Sequence, residues 1–167
     1  MIELLVGPIR SGKSTYAKQR ALQGAVILND DAVVMAVHGG NYRLYQKGLK
    51  PLYKMVENTI LQMAITLGRD VIIDRPNMGR FQRARFISIA RSLGEQVIAV
   101  TFPNHGPAHH AKTRFETDAR GLTMEHWVAA AERHQSQFVQ PDLAEGFTDI
   151  VPVGDVMKAV RKGKKSH

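Results

Sequence analysis

The sequence predicts an α/β fold, a three-layer sandwich with helices on both faces of a mostly parallel, five-stranded sheet. Short apolar runs of strand length alternate along the chain with longer stretches of helical period, the order expected of βαβ units. A glycine-rich loop directly follows the first apolar run and leads into a helical stretch. The chain has 167 residues, the length of one domain with a full core.

Five apolar runs carry the predicted strands. Each is short, rich in Val, Ile or Leu, and bounded by turn or charged residues, as buried parallel strands are. In chain order they are Ile2–Val6, Ala25–Leu28, Val71–Asp74, Val97–Phe102 and Phe147–Val153.

Helices are predicted in the connections between these strands. Pro51 opens the longest helix and Gly68 ends it, which follows the usual positions of these two residues. The predicted helical spans are Ser14–Leu22, Ala32–Val37, Pro51–Leu67, Gly79–Leu93, Pro107–Phe115 and Thr123–Phe138. We assign residues 1–155 to one domain and residues 156–167 to a basic C-terminal tail.

Composition restricts the classes of function. The chain has no cysteine, which excludes disulfides and thiolate chemistry. It has no apolar run long enough for a transmembrane helix, and Met1 leads straight into a strand, so we expect neither a membrane segment nor a signal peptide but a cytoplasmic location. The formal charge of +8 favours a polyanionic partner, and nucleic acid before a small metabolite.

The glycine-rich loop matches the phosphate-binding pattern G-x-x-x-x-G-K-[ST], the P-loop, and places the chain in the P-loop NTPase fold. Its glycines allow the backbone N–H groups to approach phosphate oxygens, and the following helix adds its positive N-terminus. Lys13 would carry a charge to the β- and γ-phosphates, and Ser14 a hydroxyl to Mg²⁺. We therefore expect ATP and Mg²⁺ as cofactors. The predicted nucleotide-binding residues are Gly7, Pro8, Ile9, Arg10, Ser11, Gly12, Lys13, Ser14 and Thr15.

Carboxylates follow the second and third predicted strands. Because ligands of open α/β sheets bind beyond the carboxyl ends of the strands, we expect Asp30, Asp31 and Asp74 to meet the P-loop at one edge. A kinase needs a carboxylate that accepts the proton of the acceptor hydroxyl; Asp31 is our first choice and Asp30 the second. One residue of Asn29–Asp31 is also expected to cap the next helix. Asp74 would hold Mg²⁺ through water or contact the acceptor.

Arginines follow the third strand and flank a later segment. Asn77 is either a substrate ligand or plain turn chemistry. Arg114 and Arg120 enclose a segment that would close over ATP as a lid, or else belong to a solvated helix face. We predict His109 and His110 to be solvated, since no metal-binding spacing is present. The arginines that could line a groove for a phosphate backbone are Arg75, Arg80, Arg83, Arg85 and Arg91.

Together these residues resemble the kinase domain of the polynucleotide 5′-hydroxyl kinases of bacteriophages and animals, within the zeta-toxin-like group of P-loop kinases. The resemblance covers about residues 1–153. Asn29-Asp30-Asp31 is similar to the family's Asn-x-Asp, which implies Asp31 as the general base. The other similar stretches are Asp74-Arg75-Pro76-Asn77, Arg114-Phe115, Arg120-Gly121 and the run from Phe138 through Pro141 to Glu145-Gly146-Phe147.

The resemblance implies an ATP- and Mg²⁺-dependent kinase whose acceptor is a nucleic acid hydroxyl, most of all a polynucleotide 5′-hydroxyl. It implies Lys13, Asp31, Arg114 and Arg120 as catalytic residues, in the host cytoplasm if the chain is phage-encoded. Val34 stands where phage members carry a substrate-binding arginine, and Pro76 replaces the usual threonine. A kinase of hydroxymethylated pyrimidines in DNA, a small-molecule kinase and a toxin-like NTP-binding module remain alternatives. DNA or RNA as acceptor, and the oligomeric state, are left open.

Overall fold

A five-stranded, all-parallel sheet forms the centre of the protein, in the order β2-β3-β1-β4-β5. The computed structural model describes residues 1–118 and 121–156. The strands are β1 (Ile2–Val6), β2 (Val26–Leu28), β3 (Val71–Ile73), β4 (Val97–Thr101) and β5 (Asp149–Pro152). The predicted α/β fold is confirmed, and β1 lies at the middle of the sheet.

The connections are helical, as predicted. The helices are α1 (Lys13–Ala21), α2 (Asp30–Val37), α3 (Lys50–Thr66), α4 (Arg80–Ser92), α5 (Pro107–Phe115) and α6 (Met124–Gln137). Short 3₁₀ turns lie at Tyr42–Leu44, Lys47–Leu49 and Leu143–Glu145. One boundary differs from the prediction in a way that affects the candidate site. Asp30 and Asp31 lie in the first turn of α2 and not in the loop before it.

Side-chain alternation in β1 separates the two faces of the sheet. Ile2, Leu4 and Val6 point into a core that includes residues of α2, α3 and α4. Leu5 points to the opposite face, where it packs with Tyr16 of α1. Helices therefore cover both faces, which is the predicted three-layer sandwich.

A buried polar network fixes α1 to β1. Glu3 lies in the middle of the central strand and is almost fully buried. Its carboxylate accepts hydrogen bonds from the Tyr16 hydroxyl at 2.6 Å and from Arg20 Nε at 3.0 Å. Arg20 Nη2 also donates to Asp70 at 3.0 Å. The helix that begins at the P-loop is thus held at two places beyond its first turn.

Arg83 is the clearest correction to the sequence analysis. Its side chain is 0% exposed, so its predicted place in an exposed arginine groove is wrong. Its Nε donates to Glu145 Oε2 at 2.8 Å and its Nη2 to Oε1 at 2.6 Å. Its Nη1 donates to the carbonyl oxygens of Asn77, Met78 and Val139, at 3.1, 3.0 and 3.0 Å. The guanidinium joins α4 to the segment before β5.

The other arginines of the predicted groove are also arranged differently from the prediction. Arg75 and Arg85 both form ion pairs with Glu57 of α3, while Arg80 and Arg91 remain exposed. Asn77 is buried, and its amide donates to Leu5 O at 2.9 Å and so joins the loop after β3 to β1. Of the two roles predicted for Asn77, substrate ligand or turn residue, the structure shows the second.

The sequence also makes predictions about the C-terminal tail and about membrane segments. Residues 157–167 lie outside the described part of the chain, so the boundary between domain and tail stays a prediction. Within residues 1–118 and 121–156, no helix has both the length and the apolar character needed to cross a bilayer.

Arg83 and Arg80 provide a matched test of the buried ion pair, because both approach Glu145. Arg83→Met leaves the Glu145 carboxylate without its buried partner, and we expect the free energy of unfolding to fall by about 3–5 kcal/mol. Arg80 is 64% exposed and lies 3.8 Å from Glu145, so Arg80→Met should cost less than about 1 kcal/mol. Urea denaturation measures both, and equal losses would contradict the structural role of Arg83.

Candidate active site

A cleft of about 550 Å³ opens at the carboxyl ends of β1, β2 and β3. This is the edge at which the sequence places the P-loop and the carboxylates, and its volume is in the range of small-molecule sites. Its lining residues are Ile9, Arg10, Gly12, Lys13, Ser14, Thr15, Asn29, Asp30, Asp31, Asp74, Arg75, Pro76, Thr113, Arg114, His126, Trp127, Ala130 and His134. The predicted convergence of three strand ends is therefore present.

The P-loop has the form of an anion cradle. Gly12 precedes α1 with φ 101°, a left-handed conformation that favours glycine, and no side chain caps this helix. The first N–H groups of a helix have no intrahelical partner, so those of α1 are available to a phosphate at the cleft. A side chain at Gly7 would place its Cβ 2.8 Å from Phe102 Cβ, so only glycine fits there.

Lys13 lies inside the loop. Its side chain is almost fully enclosed, and its Nζ donates to Gly7 O at 2.9 Å and to Pro8 O at 2.5 Å. Burial lowers the Lys13 pKa to about 8, although the nearby Asp74 carboxylate opposes this shift. A bound phosphate would add negative charge beside the ammonium group and favour its charged form.

Asn29 joins two of the predicted site elements. Its Oδ1 accepts a hydrogen bond from Ala32 N at 3.1 Å, so Asn29 is the cap of α2 and neither aspartate is used for that purpose. Its Nδ2 donates to the backbone oxygen of Asp74 at 3.0 Å and lies 3.5 Å from Asp74 Oδ2. One amide therefore sets the first turn of α2 against the end of β3.

The two adjacent aspartates have different surroundings. Asp30 forms an ion pair with Arg75, which also pairs with Glu57. Burial raises the Asp30 pKa, Arg75 opposes this, and the Glu57 and Asp31 carboxylates raise it further. Asp30 and Asp31 both line the cleft and are exposed. Arg75 thus connects α2 to α3 at the cleft wall. Its role in substrate binding stays a prediction.

Helices α5 and α6 form the wall where the sequence predicts a lid. Arg114 lies over the Trp127 ring at 4.7 Å and is 3.9 Å from Asp118. Trp127 in turn packs in an apolar cluster with Ile9 of the P-loop. The pair of helices α5 and α6 thus packs on the P-loop, and Arg114 lies at the cleft. Arg120 lies outside the described residues.

Histidines on these helices correct another expectation. His110 is fully buried, not solvated, and its Nε2 accepts a hydrogen bond from His105 N at 3.0 Å. His109 is exposed, as predicted. His134 lines the cleft, and burial, followed by the charges of Lys13 and Arg133, lowers its pKa to about 4. Burial also lowers the pKa of His110.

The donor set fits Mg²⁺ held together with a nucleotide. Among the described residues there is no group of three or more acidic, histidine or cysteine side chains that could hold a metal by itself. Mg²⁺ commonly uses one or two protein oxygens and completes its shell with phosphate and water. Ser14 and Asp74, both at the cleft, would supply those oxygens.

One wall of the cleft consists of α6 residues that the local sequence pattern does not mark as site residues. Trp127, Ala130 and His134 recur at intervals of three and four, so one face of α6 lines the site. The signal was present, since the only tryptophan and a histidine share a face with a small residue. It cannot be distinguished from an ordinary core pattern until the partner of that face is known.

The comparison with known families agrees with this geometry. Residues 2–135 match AAA_33, a family of AAA domains. The chain belongs to this family. The AAA_33 match begins in β1 and ends in α6, so it includes the P-loop, Asp31, Asp74 and Arg114. It identifies a P-loop kinase-like, nucleotide-binding domain. No curated protein matches the sequence.

His134 should impose a pH dependence on the stability of this AAA_33 domain. The unfolded chain binds a proton at His134 near pH 6.5, whereas the folded chain does so only near pH 4. Its contribution to stability is therefore complete above pH 6.5 and is lost as the pH falls towards 4. In His134→Gln the fall of the urea midpoint over this interval should be less steep than in the wild type. His109→Gln is the control; equal slopes in all three proteins would contradict the lowered pKa of the half-buried His134.

Proposed function

We propose that this protein transfers the γ-phosphoryl group of ATP to a hydroxyl of nucleic acid, with a polynucleotide 5′-hydroxyl as the acceptor. The observation that carries this is the single cleft, in which a phosphate cradle, an Mg²⁺-compatible oxygen pair and the Asp31 carboxylate come together. A phosphoryl transferase needs these parts and little covalent chemistry from the protein.

The P-loop holds the donor. The backbone N–H groups at the start of α1 bind the phosphate oxygens, and Lys13 exchanges its contacts with Gly7 O and Pro8 O for the β- and γ-phosphates. Ser14, with Asp74 in support, would hold Mg²⁺, which would supply positive charge that stabilises the phosphate groups. Positioning of this kind accounts for about 7–11 kcal/mol of barrier reduction in well-oriented reactions.

Asp31 acts on the acceptor. It accepts the hydroxyl proton while the acceptor oxygen forms a bond to the γ-phosphorus and the bond from that phosphorus to the β–γ bridging oxygen breaks, releasing ADP. We assign the role to Asp31 because it stands where the similarity to the Asn-x-Asp pattern implies the general base; Asp30 pairs with Arg75. Arg114 at the cleft, and Arg120 beyond the described residues, would stabilise the transferring group, an effect of about 10³–10⁵ in rate for arginine fingers.

A hydroxymethylated pyrimidine within DNA is the second candidate acceptor. Val34 belongs to α2 and its side chain is buried in the core. The position at which phage end kinases carry a substrate-binding arginine therefore has no cation. An acceptor that presents a base hydroxyl, instead of a terminal nucleotide with its 3′-phosphate, does not need that arginine. The P-loop and Asp31 would act in the same way.

A panel of acceptors with γ-labelled ATP tests the proposal. It contains 5′-hydroxyl DNA, 5′-hydroxyl RNA, DNA with hydroxymethylated pyrimidines and blocked 5′ ends, and free nucleosides. Label on the 5′-hydroxyl ends is the expected result. Label on internal modified bases alone would replace the acceptor by the second candidate. ATP consumption without any labelled acceptor would contradict the transferase and favour a nucleotide-binding module.

The carboxylates of Asp31 and Asp30 form a matched pair of variants. Asp31→Asn should lower the transfer rate by at least about 100-fold, the lower range for a general base, and leave ATP affinity unchanged. Asp30→Asn should retain more transfer activity, because it loses the ion pair with Arg75 but not the base. Full transfer by Asp31→Asn would exclude Asp31 as the base, and loss in Asp30→Asn alone would assign that role to Asp30.

A further inference from the structure

The segment between α2 and α3, extended into the first turn of α3, carries positive charge only. Residues 38–54, which we call the 38–54 surface, contain no aspartate or glutamate. Its exposed basic residues are Arg43, Lys47, Lys50 and Lys54. In the part of the chain that the structure describes, none of these four pairs with a carboxylate, whereas Arg20, Arg75, Arg83 and Arg85 all do. Four cations without a carboxylate partner among the described residues, and no acidic residue, therefore lie within this one 17-residue segment.

Stacked tyrosines give this surface a fixed shape. Tyr53 of α3 is buried, and its ring lies 5.7 Å from that of Tyr45 at an interplanar angle of 27°. Tyr45 in turn stacks with Tyr42 at 6.2 Å and 12°. The Tyr53 hydroxyl accepts a hydrogen bond from Gln46 N at 3.2 Å and lies 2.7 Å from His38 Nε2. The two 3₁₀ turns are thus held against α3.

Apolar groups are exposed between the cations. Tyr45 is 38% exposed, and Met55, next to Lys54, is 65% exposed. Leu44 and Leu52 are also exposed. A face that served only solubility would not combine aromatic and aliphatic surface with unpaired cations. Single-stranded nucleic acid presents both matching features, phosphates along the backbone and unstacked bases.

The position of the surface relative to the active site is set by α2. This helix begins at Asp30 and Asp31 and ends at Val37, directly before the surface. Eight helical residues rise about 12 Å, the length of a few nucleotides of a strand. A strand lying on the 38–54 surface can therefore place its end beside Asp31.

We propose that the 38–54 surface binds the single-stranded region of a nucleic acid acceptor, with Arg43 and Lys47 on phosphates and Tyr45 against a base. This rests on the proposed function for its acceptor, and it deepens it by naming the strand-binding face. It also differs from the groove after β3 that the sequence suggested, since Arg83 and its neighbours are used in internal ion pairs. An anionic membrane is the other partner that such a face could bind.

Binding of a single-stranded oligonucleotide, followed by fluorescence anisotropy with a 3′ dye and a free 5′-hydroxyl, tests this proposal. Lys47→Glu and Arg43→Glu should weaken binding and lower the salt dependence by about one released ion each. Tyr45→Ala should weaken binding by roughly 5- to 150-fold, the range for one base–aromatic stack, with the salt dependence unchanged. Tyr45→Phe should bind like the wild type. Arg91→Glu, on exposed α4, makes the same charge change as the matched control.

Three results would overturn the proposal. They are unchanged oligonucleotide affinity in Lys47→Glu and Tyr45→Ala, an equal loss in Arg91→Glu, and Lys47-dependent binding to phosphatidylserine vesicles without binding to oligonucleotide. Urea midpoints and ATP affinity equal to those of the wild type show that each variant is folded.

Transfer assays separate this proposal from the proposed function. If both hold, the variants raise KM for an oligonucleotide acceptor and leave kcat unchanged. If no acceptor is labelled but oligonucleotide binding depends on Tyr45 and Lys47, the surface is confirmed and the chemistry is replaced. If transfer occurs with wild-type KM in both variants, the surface is excluded and the kinase remains.

Discussion

The common direction of the five strands is the constraint on which the rest of this structure depends. Parallel neighbours require a crossover connection, and helices supply it on both faces. All carboxyl ends then open at one edge, so residues far apart in sequence come together without a dedicated scaffold. The P-loop, Asp31 and Asp74 are local features of three strand ends, and the sheet turns them into one cleft.

Within that cleft, the Asn29 side chain connects the first turn of α2 to the end of β3. Asn29 uses its oxygen to cap α2 and its nitrogen to hold the end of β3. This amide therefore ties the first turn of α2, which carries Asp31, to the end of β3, where Asp74 lies. Arg75 adds a second tie, since it pairs with Asp30 of α2 and Glu57 of α3. The side of the cleft that carries Asp30 and Asp31 is thus connected by polar side chains to β3 and α3.

The sequence predicted what depends on local pattern and missed what depends on distant partners. In the part of the chain that the structure describes, apolar runs and helical periods located the strands and α-helices to within a few residues, though not the 3₁₀ turns. The P-loop could be identified because its residues are contiguous. Arg83 could not be assigned, because its partner Glu145 lies 62 residues away and nothing local distinguishes a buried arginine from a solvated one. His110 has the same problem: helical spacing separates it from His109 but does not say which face is covered.

Glu3 has a consequence for the thermodynamics of nucleotide binding. Its contacts with Tyr16 and Arg20 hold α1 against the central strand without help from any ligand. The anion site is consequently preorganised, and a phosphate that arrives finds its N–H donors already in place. Little of the free energy of phosphate binding is then consumed in ordering the loop. A carboxylate in the central strand thus favours anion binding by lowering the entropy cost of forming the site.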